Sequence, residues 1–133
     1  MVDEDPVRRY CQEKGYAEHV VRGGLKYLVE SWEQCVQSVV RGEQQDIYEY
    51  LNDMDGRRIL EELLPLATQD QRDKYSDRIR NADLRFQEAT VDTPHCLWGI
   101  ENMRKHGWAP SKEWWYFRKP KAAPEKWSVE NPD

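Results

Sequence analysis

The stretch LKYLVESWEQCVQSVV, residues 25–40, decides the fold. Its apolar side chains Leu25, Leu28, Val29, Trp32, Cys35, Val36, Val39 and Val40 recur at spacings of three and four, the period of an α-helix that buries one stripe. Lys26, Glu30, Glu33, Gln34, Gln37 and Arg41 fall on the opposite face. Gly42 supplies a stop, because glycine enters the left-handed conformation without a Cβ clash. The start is less sharply marked, since Gly23-Gly24 can separate the helix from a turn around residues 17–22.

Working outward, Asp5-Pro6 opens a short helix from about Pro6 to Lys14. The Asp side chain accepts from an orphan amide, and Pro at the first helical position loses nothing by lacking one. After Gly42, Ile47, Tyr50, Leu51 and Met54 share one face, which predicts a short helix from Asp46 to Met54. Asp55-Gly56 punctuates it, and a further helix, Arg57 to Leu64, follows with Ile59, Leu60, Leu63 and Leu64 as its stripe, before Pro65 interrupts. Thr68 and Gln71 match a capping box, opening a long polar helix of about Gln69 to Ala89, with Tyr75, Ile79, Ala82, Phe86 and Ala89 as a narrow seam.

Beyond Thr90 the character changes. Residues 91–94 read as a connector, and the remainder holds five of the six tryptophans, Trp98, Trp108, Trp114, Trp115 and Trp127. The segment from Trp114 to Arg118 is aromatic and β-prone, so it reads as a strand or extended arm, with a helical turn capped by Ser111 as the alternative. In a strand, Trp114 and Trp115 point to opposite faces, which leaves one of them for a partner or a second protomer. The expectation is a mainly α protein: a small bundle of about five helices in one domain spanning 1–119, with an aromatic arm from about residue 97. A flexible Pro-rich, charged tail covers 120–133.

The chain has 133 residues, a net charge of −5 and charged side chains at 34% of positions, one domain's worth of acidic protein. Charge is uneven along it: residues 1–100 hold 13 basic and 20 acidic side chains, and 101–133 hold 7 and 5. No apolar run approaches the ~18 residues of a membrane span, and the acidic start is unlike a secretory signal. Three separated cysteines, Cys11, Cys35 and Cys96, form no disulfide framework and suit a reducing, cytoplasmic setting.

Several chemistries are weakly represented. Residues 52–56 overlap a calcium loop, with Asp53, Asp55 and Glu62 on ligand positions, but Leu51 falls where the first oxygen belongs and Arg57-Arg58 follow at once. The favoured reading has Asp53 and Asp55 capping helix ends and pairing with those arginines. His95-Cys96, His106, His19, Cys11 and Cys35 are too scattered for zinc, and a nucleophilic Cys96 with a histidine base is an equally weak reading, against Cys35 in the apolar stripe and Cys96 at the edge of the core. Gly23-Gly24 lack the rest of a phosphate loop, and no hydrolase or dinucleotide motif occurs. No catalytic residue, metal site or cofactor is expected.

Two surfaces remain. An acidic helical face drawn from Glu43, Asp46, Glu49, Asp53, Asp55, Glu61 and Glu62 suits a basic protein partner that it would steer electrostatically. The chain's size and charge are those of small inhibitor or immunity-type proteins that cover a basic nuclease, an analogy of class, since the residues match no named family. The second surface is the arm, where Trp108, Trp114, Trp115, Tyr116, Arg118 and Lys119 interleave rings and cations as single-stranded nucleic-acid binders do. An acidic body opposes a polyanion, so the expected function is a non-catalytic protein-interaction module. A single-stranded nucleic-acid binder is the alternative, and a hydrolase of unrecognised geometry comes third.

Overall fold

The computed structural model describes residues 5–133 and is mainly α-helical. Helix α1 spans Pro6–Glu13, α2 Glu18–Val40, α3 Ile47–Leu63, α4 Gln69–Ala89 and α5 Ile100–His106; strands β1 (Thr90–Asp92) and β2 (Arg118–Pro120) form a small antiparallel pair. Asp5 caps α1 as expected, its Oδ1 accepting from the amides of Val7 and Arg8 at 3.0 and 3.2 Å.

Helix α2 is the centre of the bundle and packs against α4, α3 and α1, with Leu28, Val29, Trp32, Cys35 and Val36 buried. Its first limb, expected as a turn, is helical and meets the main limb at a kink. Gly24 sits there at φ 61° and ψ −150°, a backbone region open essentially to glycine alone. Gly23 is required for a different reason, since a Cβ on it would lie 2.3 Å from that of Tyr27. The Arg8 guanidinium braces the kink by donating to the carbonyls of Val21 and Arg22 at 3.0 and 2.9 Å.

The two short helices expected across Asp55-Gly56 are one continuous helix, α3. Gly56 is tolerated in a helix interior at a cost, and the buried stripe Ile47, Tyr50, Leu51, Met54, Arg57, Leu60, Leu63 runs through it. Helix α4 begins at the capping box, Thr68 Oγ1 accepting from Gln71 N at 3.1 Å and Gln71 Oε1 from Thr68 N at 2.9 Å.

The aromatic segment is not a strand. Trp114–Phe117 form a 3-10 turn, and only the residues after it extend, as β2 pairs with β1 in the register Thr90↔Pro120, Val91↔Lys119, Asp92↔Arg118. The alternation that would have exposed one indole therefore does not apply: Trp115 is buried and Trp114 half-buried.

Residues 120–133, expected as a flexible tail, fold back onto the body. Trp127 is buried with its ring centroid 5.2 Å from that of Tyr50. Val129 N donates to Leu97 O at 2.9 Å, and Lys119 Nζ to Ala123 O at 2.9 Å. The three cysteines are buried and unpaired with one another, and among the described residues no helix is long and apolar enough to cross a membrane. If Trp127 anchors the C-terminal segment, Trp127→Ala costs about 3–5 kcal/mol, read as a lower urea midpoint; an unchanged midpoint would show the segment to be dispensable for stability.

Candidate partner-binding face and the charge networks behind it

Helix α3 carries its functional groups on two sides. On the inner side Arg57, only 3% exposed, forms a fork on Asp83 of α4, Nε to Oδ1 at 2.9 Å and NH2 to Oδ2 at 2.8 Å, and reaches Glu61 through NH1 at 2.9 Å. Its guanidinium carbon lies 5.9, 5.7 and 5.0 Å from the ring centroids of Trp32, Trp114 and Trp115. The Trp32 indole N–H donates to the same Asp83 Oδ1 at 2.9 Å. Burial works against the Arg57 charge, but the two carboxylates outweigh it and hold its pKa above the ordinary value. Trp115 Nε1 is buried without an acceptor, so this indole serves as a wall of the cage rather than as a donor.

A second network runs along the flank of α3. Asp55 Oδ1 accepts from the Tyr116 hydroxyl at 2.5 Å and from Trp98 Nε1 at 3.1 Å. Arg58 Nε donates to the Tyr116 oxygen at 3.2 Å, and Arg58 NH1 lies 3.6 Å from Glu62 Oε2. Glu62 Oε1 accepts from both Tyr10 and Tyr16 at 2.7 Å. Burial, and then the hydrogen bond to Asp55, push the Tyr116 phenol far up, so it stays a neutral donor. For Glu62, burial raises the carboxyl, but the two phenols, Arg58 and Lys14 outweigh burial and hold it below its ordinary value. Asp55, Arg58, Trp98, Asn102, His106 and Trp108 also line an open cavity of about 490 Å³. The His106 and Trp108 rings stack there at 4.6 Å.

These networks divide the expected acidic face. At about 100° per residue, Glu49 and Asp53 share a side of α3, whereas Asp55 and Glu62 lie toward the other. Asp53 and Asp55 cap no helix end and form no calcium loop, because both sit inside α3. Arg57 and Arg58 pair with Asp83, Glu61 and Glu62 instead. Glu61 and Glu62 are thus committed to arginines and tyrosines of this chain.

Glu43, Asp46, Glu49 and Asp53 are placed differently. Asp46 caps α3, accepting from Glu49 N at 2.9 Å, and Asp53 Oδ2 accepts from Gln45 Nε2 at 3.2 Å. Glu43 is 3.9 Å from Arg41. Among the described residues no ion pair includes Asp46, Glu49 or Asp53. The Asp46 side chain raises the Glu49 carboxyl, through hydrogen bonding and then charge. Tyr48, 57% exposed, is on a neighbouring side of the same helix.

The arm residues lie mostly inside. Trp115, Tyr116 and Lys119 are buried, and Trp108, Trp114 and Arg118 half-buried. Arg118 is spent on Thr90 Oγ1, Asp92 Oδ1 and the carbonyls of Gln87 and Thr90, at 2.5–3.0 Å, so it locks β2 to the end of α4. Few of these rings offer a free face to a base. Among the described residues no group of three His, Cys, Asp or Glu is arranged to hold a metal ion.

Sequence reasoning did not single out Asp83, Tyr10 or Tyr16, named Trp98 only as one of the C-terminal tryptophans, and named Arg57 only as a partner for Asp53 and Asp55. One signal existed: Arg57 follows Met54 by three and precedes Leu60 by three, an arginine in a core stripe once α3 is read as continuous. Comparisons of the chain with protein-family models, with curated proteins and with solved structures find no match in any of the three.

Removing one partner of a buried ion pair strands the other charge. Asp83→Ala should cost about 3–5 kcal/mol in urea denaturation, and Arg57→Met, which removes the charge itself, should cost less; the reverse order would refute the cage. Glu62 gives a pH signature. Its folded pKa is depressed below the ordinary 4.5, so its stabilisation is complete above that value and is lost as pH falls toward the folded value. Thermal melts of Glu62→Gln should therefore approach those of the wild type as the pH is lowered below about 4.5.

Proposed function

We propose that this chain is a non-catalytic protein-interaction module whose acidic edge, the loop before α3 and the outer face of α3, meets a basic protein partner. One observation carries the reading: among the described residues Asp46, Glu49 and Asp53 are in no ion pair, and Asp46 and Glu49 are exposed at the start of α3. A folded domain that engages Arg57, Arg58, Arg78 and Arg118 in ion pairs could have neutralised this edge in the same way. Self-repulsion there costs stability. A cationic partner would relieve it, and the field would speed encounter. Tyrosine is among the side chains that anchor such interfaces. An inhibitor or immunity-type role, covering a basic enzyme, is one form this activity would take.

Affinity capture from native lysate, with a nuclease-treated control, tests the reading. The wild type should retain a basic protein after nuclease treatment. Glu43→Lys combined with Glu49→Lys should slow association with that protein by about tenfold at low salt while leaving the melting temperature unchanged, because both side chains are exposed. Retention of nucleic acid alone, or an on-rate indifferent to the charge reversal, would overturn it.

A further inference from the structure

We propose that the open cavity of about 490 Å³ between α3 and α5 binds a neutral saccharide. The site lies on a different flank of α3 from the acidic edge and does not depend on it. Its volume falls within the range of about 300–1,000 Å³ that small-molecule sites occupy.

Helix α5 does not close on the body as a packed helix does. None of its seven residues is buried, although Met103 packs partly against the core. A helix docked on a bundle turns an apolar row inward. The row by which α5 lines the cavity is instead Asn102 and His106, one turn apart, across from Asp55 and Arg58 of α3. The gap between the two helices is therefore bounded by hydrogen-bonding side chains rather than filled by apolar ones.

Three of these side chains are fixed through one atom and keep another without a partner. Asp55 accepts through Oδ1 from Tyr116 and Trp98, Arg58 donates through Nε to Tyr116 and places NH1 near Glu62, and Asn102 donates through Nδ2 to Trp98 O at 2.8 Å. Among the described residues Asp55 Oδ2, Arg58 NH2 and Asn102 Oδ1 make no hydrogen bond. Polar groups oriented in this way by supporting hydrogen bonds are the arrangement a binding site requires.

The same lining selects the ligand class. Asp55 and Arg58 bring one charge of each sign, so an anion would meet the carboxylate and a cation the guanidinium, whereas a neutral ligand meets neither penalty. Two acceptors beside a donor match hydroxyl groups, each of which both donates and accepts, and hydrogen bonds to ionised partners are the strong ones. Half-buried Trp98 adds an apolar wall for the C–H groups of a sugar ring. A nucleobase fits less well, because it is held by stacking on ring faces, and Trp108 already has His106 at 4.6 Å and Tyr116 at 4.3 Å.

The test follows the amide and indole N–H signals of the full chain by NMR during titration with glucose, galactose, mannose, N-acetylglucosamine, maltose, cellobiose and lactose, each at millimolar concentration, and with adenosine and guanosine as planar comparisons. At least one sugar should give saturable shifts of the Trp98 indole N–H and of amides within residues 55–58 and 98–108. Asn102→Ala should weaken binding of that sugar by about tenfold, while Lys105→Ala, on the same helix but outside the lining, should leave it unchanged. The wild-type shift map decides the site even where Asn102→Ala lowers the melting temperature. No saturable response to any of the sugars, shifts centred outside these residues, an equal or stronger response to either nucleoside, or undiminished affinity in folded Asn102→Ala would each overturn the proposal.

Discussion

A guanidinium buried at Arg57 imposes its requirements on most of this chain. Taking an unpaired charge out of water is prohibitive, so the fold has to bring a carboxylate to each edge of the fork and polarisable surface to its faces. Glu61 comes from the same helix one turn on, Asp83 from α4, Trp32 from α2, and Trp114 and Trp115 from the turn that precedes β2. One cation therefore links three helices to the C-terminal segment. Trp32 doubles the connection, because its N–H shares Asp83 with the guanidinium. Such a cluster adds little net stability compared with a well-packed apolar core. Its contribution is to register: α3 and α4 cannot slide or rotate against one another without breaking a bidentate pair.

What could be read from the sequence was what local chemistry determines. The stripe of α2, the proline start of α1 and the capping box at Thr68 each depend on residues within a turn or two, and each was legible. Asp55-Gly56 was misread because its turn chemistry is a local signal too, and here the tertiary packing of Met54, Arg57 and Leu60 overrides it. The parity argument for Trp114 and Trp115 failed at its premise, since a 3-10 turn does not alternate faces as a strand does. Proline and charge made residues 120–133 resemble a tail, but the Trp127 ring packs on Tyr50 and Val129 N donates to Leu97 O, contacts with residues far away in sequence. The pairs that organise the charge, Arg57 with Asp83 and Asp55 with Tyr116, join residues far apart in sequence that no periodicity connects.

The acidic residues show the same limit from another side. Read as composition, Glu43 to Glu62 form one acidic region; read by their contacts, they form two populations. Glu61, Glu62 and Asp55 meet arginines, tyrosines and tryptophans of the chain itself. Asp46 and Glu49 are exposed at the helix start, and half-buried Asp53 accepts from Gln45. Most of those contacts join residues far apart in sequence, so composition alone does not reveal the division.

That division connects stability to function through a single helix. The inner side of α3 is held by the Arg57 cluster and the flank by Asp55 and Glu62, so the helix is fixed against rotation on two of its sides. A helix held in that way presents its third side as a rigid template, with Tyr48, Glu49, Asn52, Asp53 and Gly56 in constant relative positions. Rigid presentation lowers the ordering cost of association. It also means that unpaired carboxylates on this side cannot find relief by swinging toward Arg57 or Arg58, since those cations are already saturated by shorter, better-buried contacts. The repulsion that remains on the outer face is thus a consequence of how completely the inner charges are satisfied.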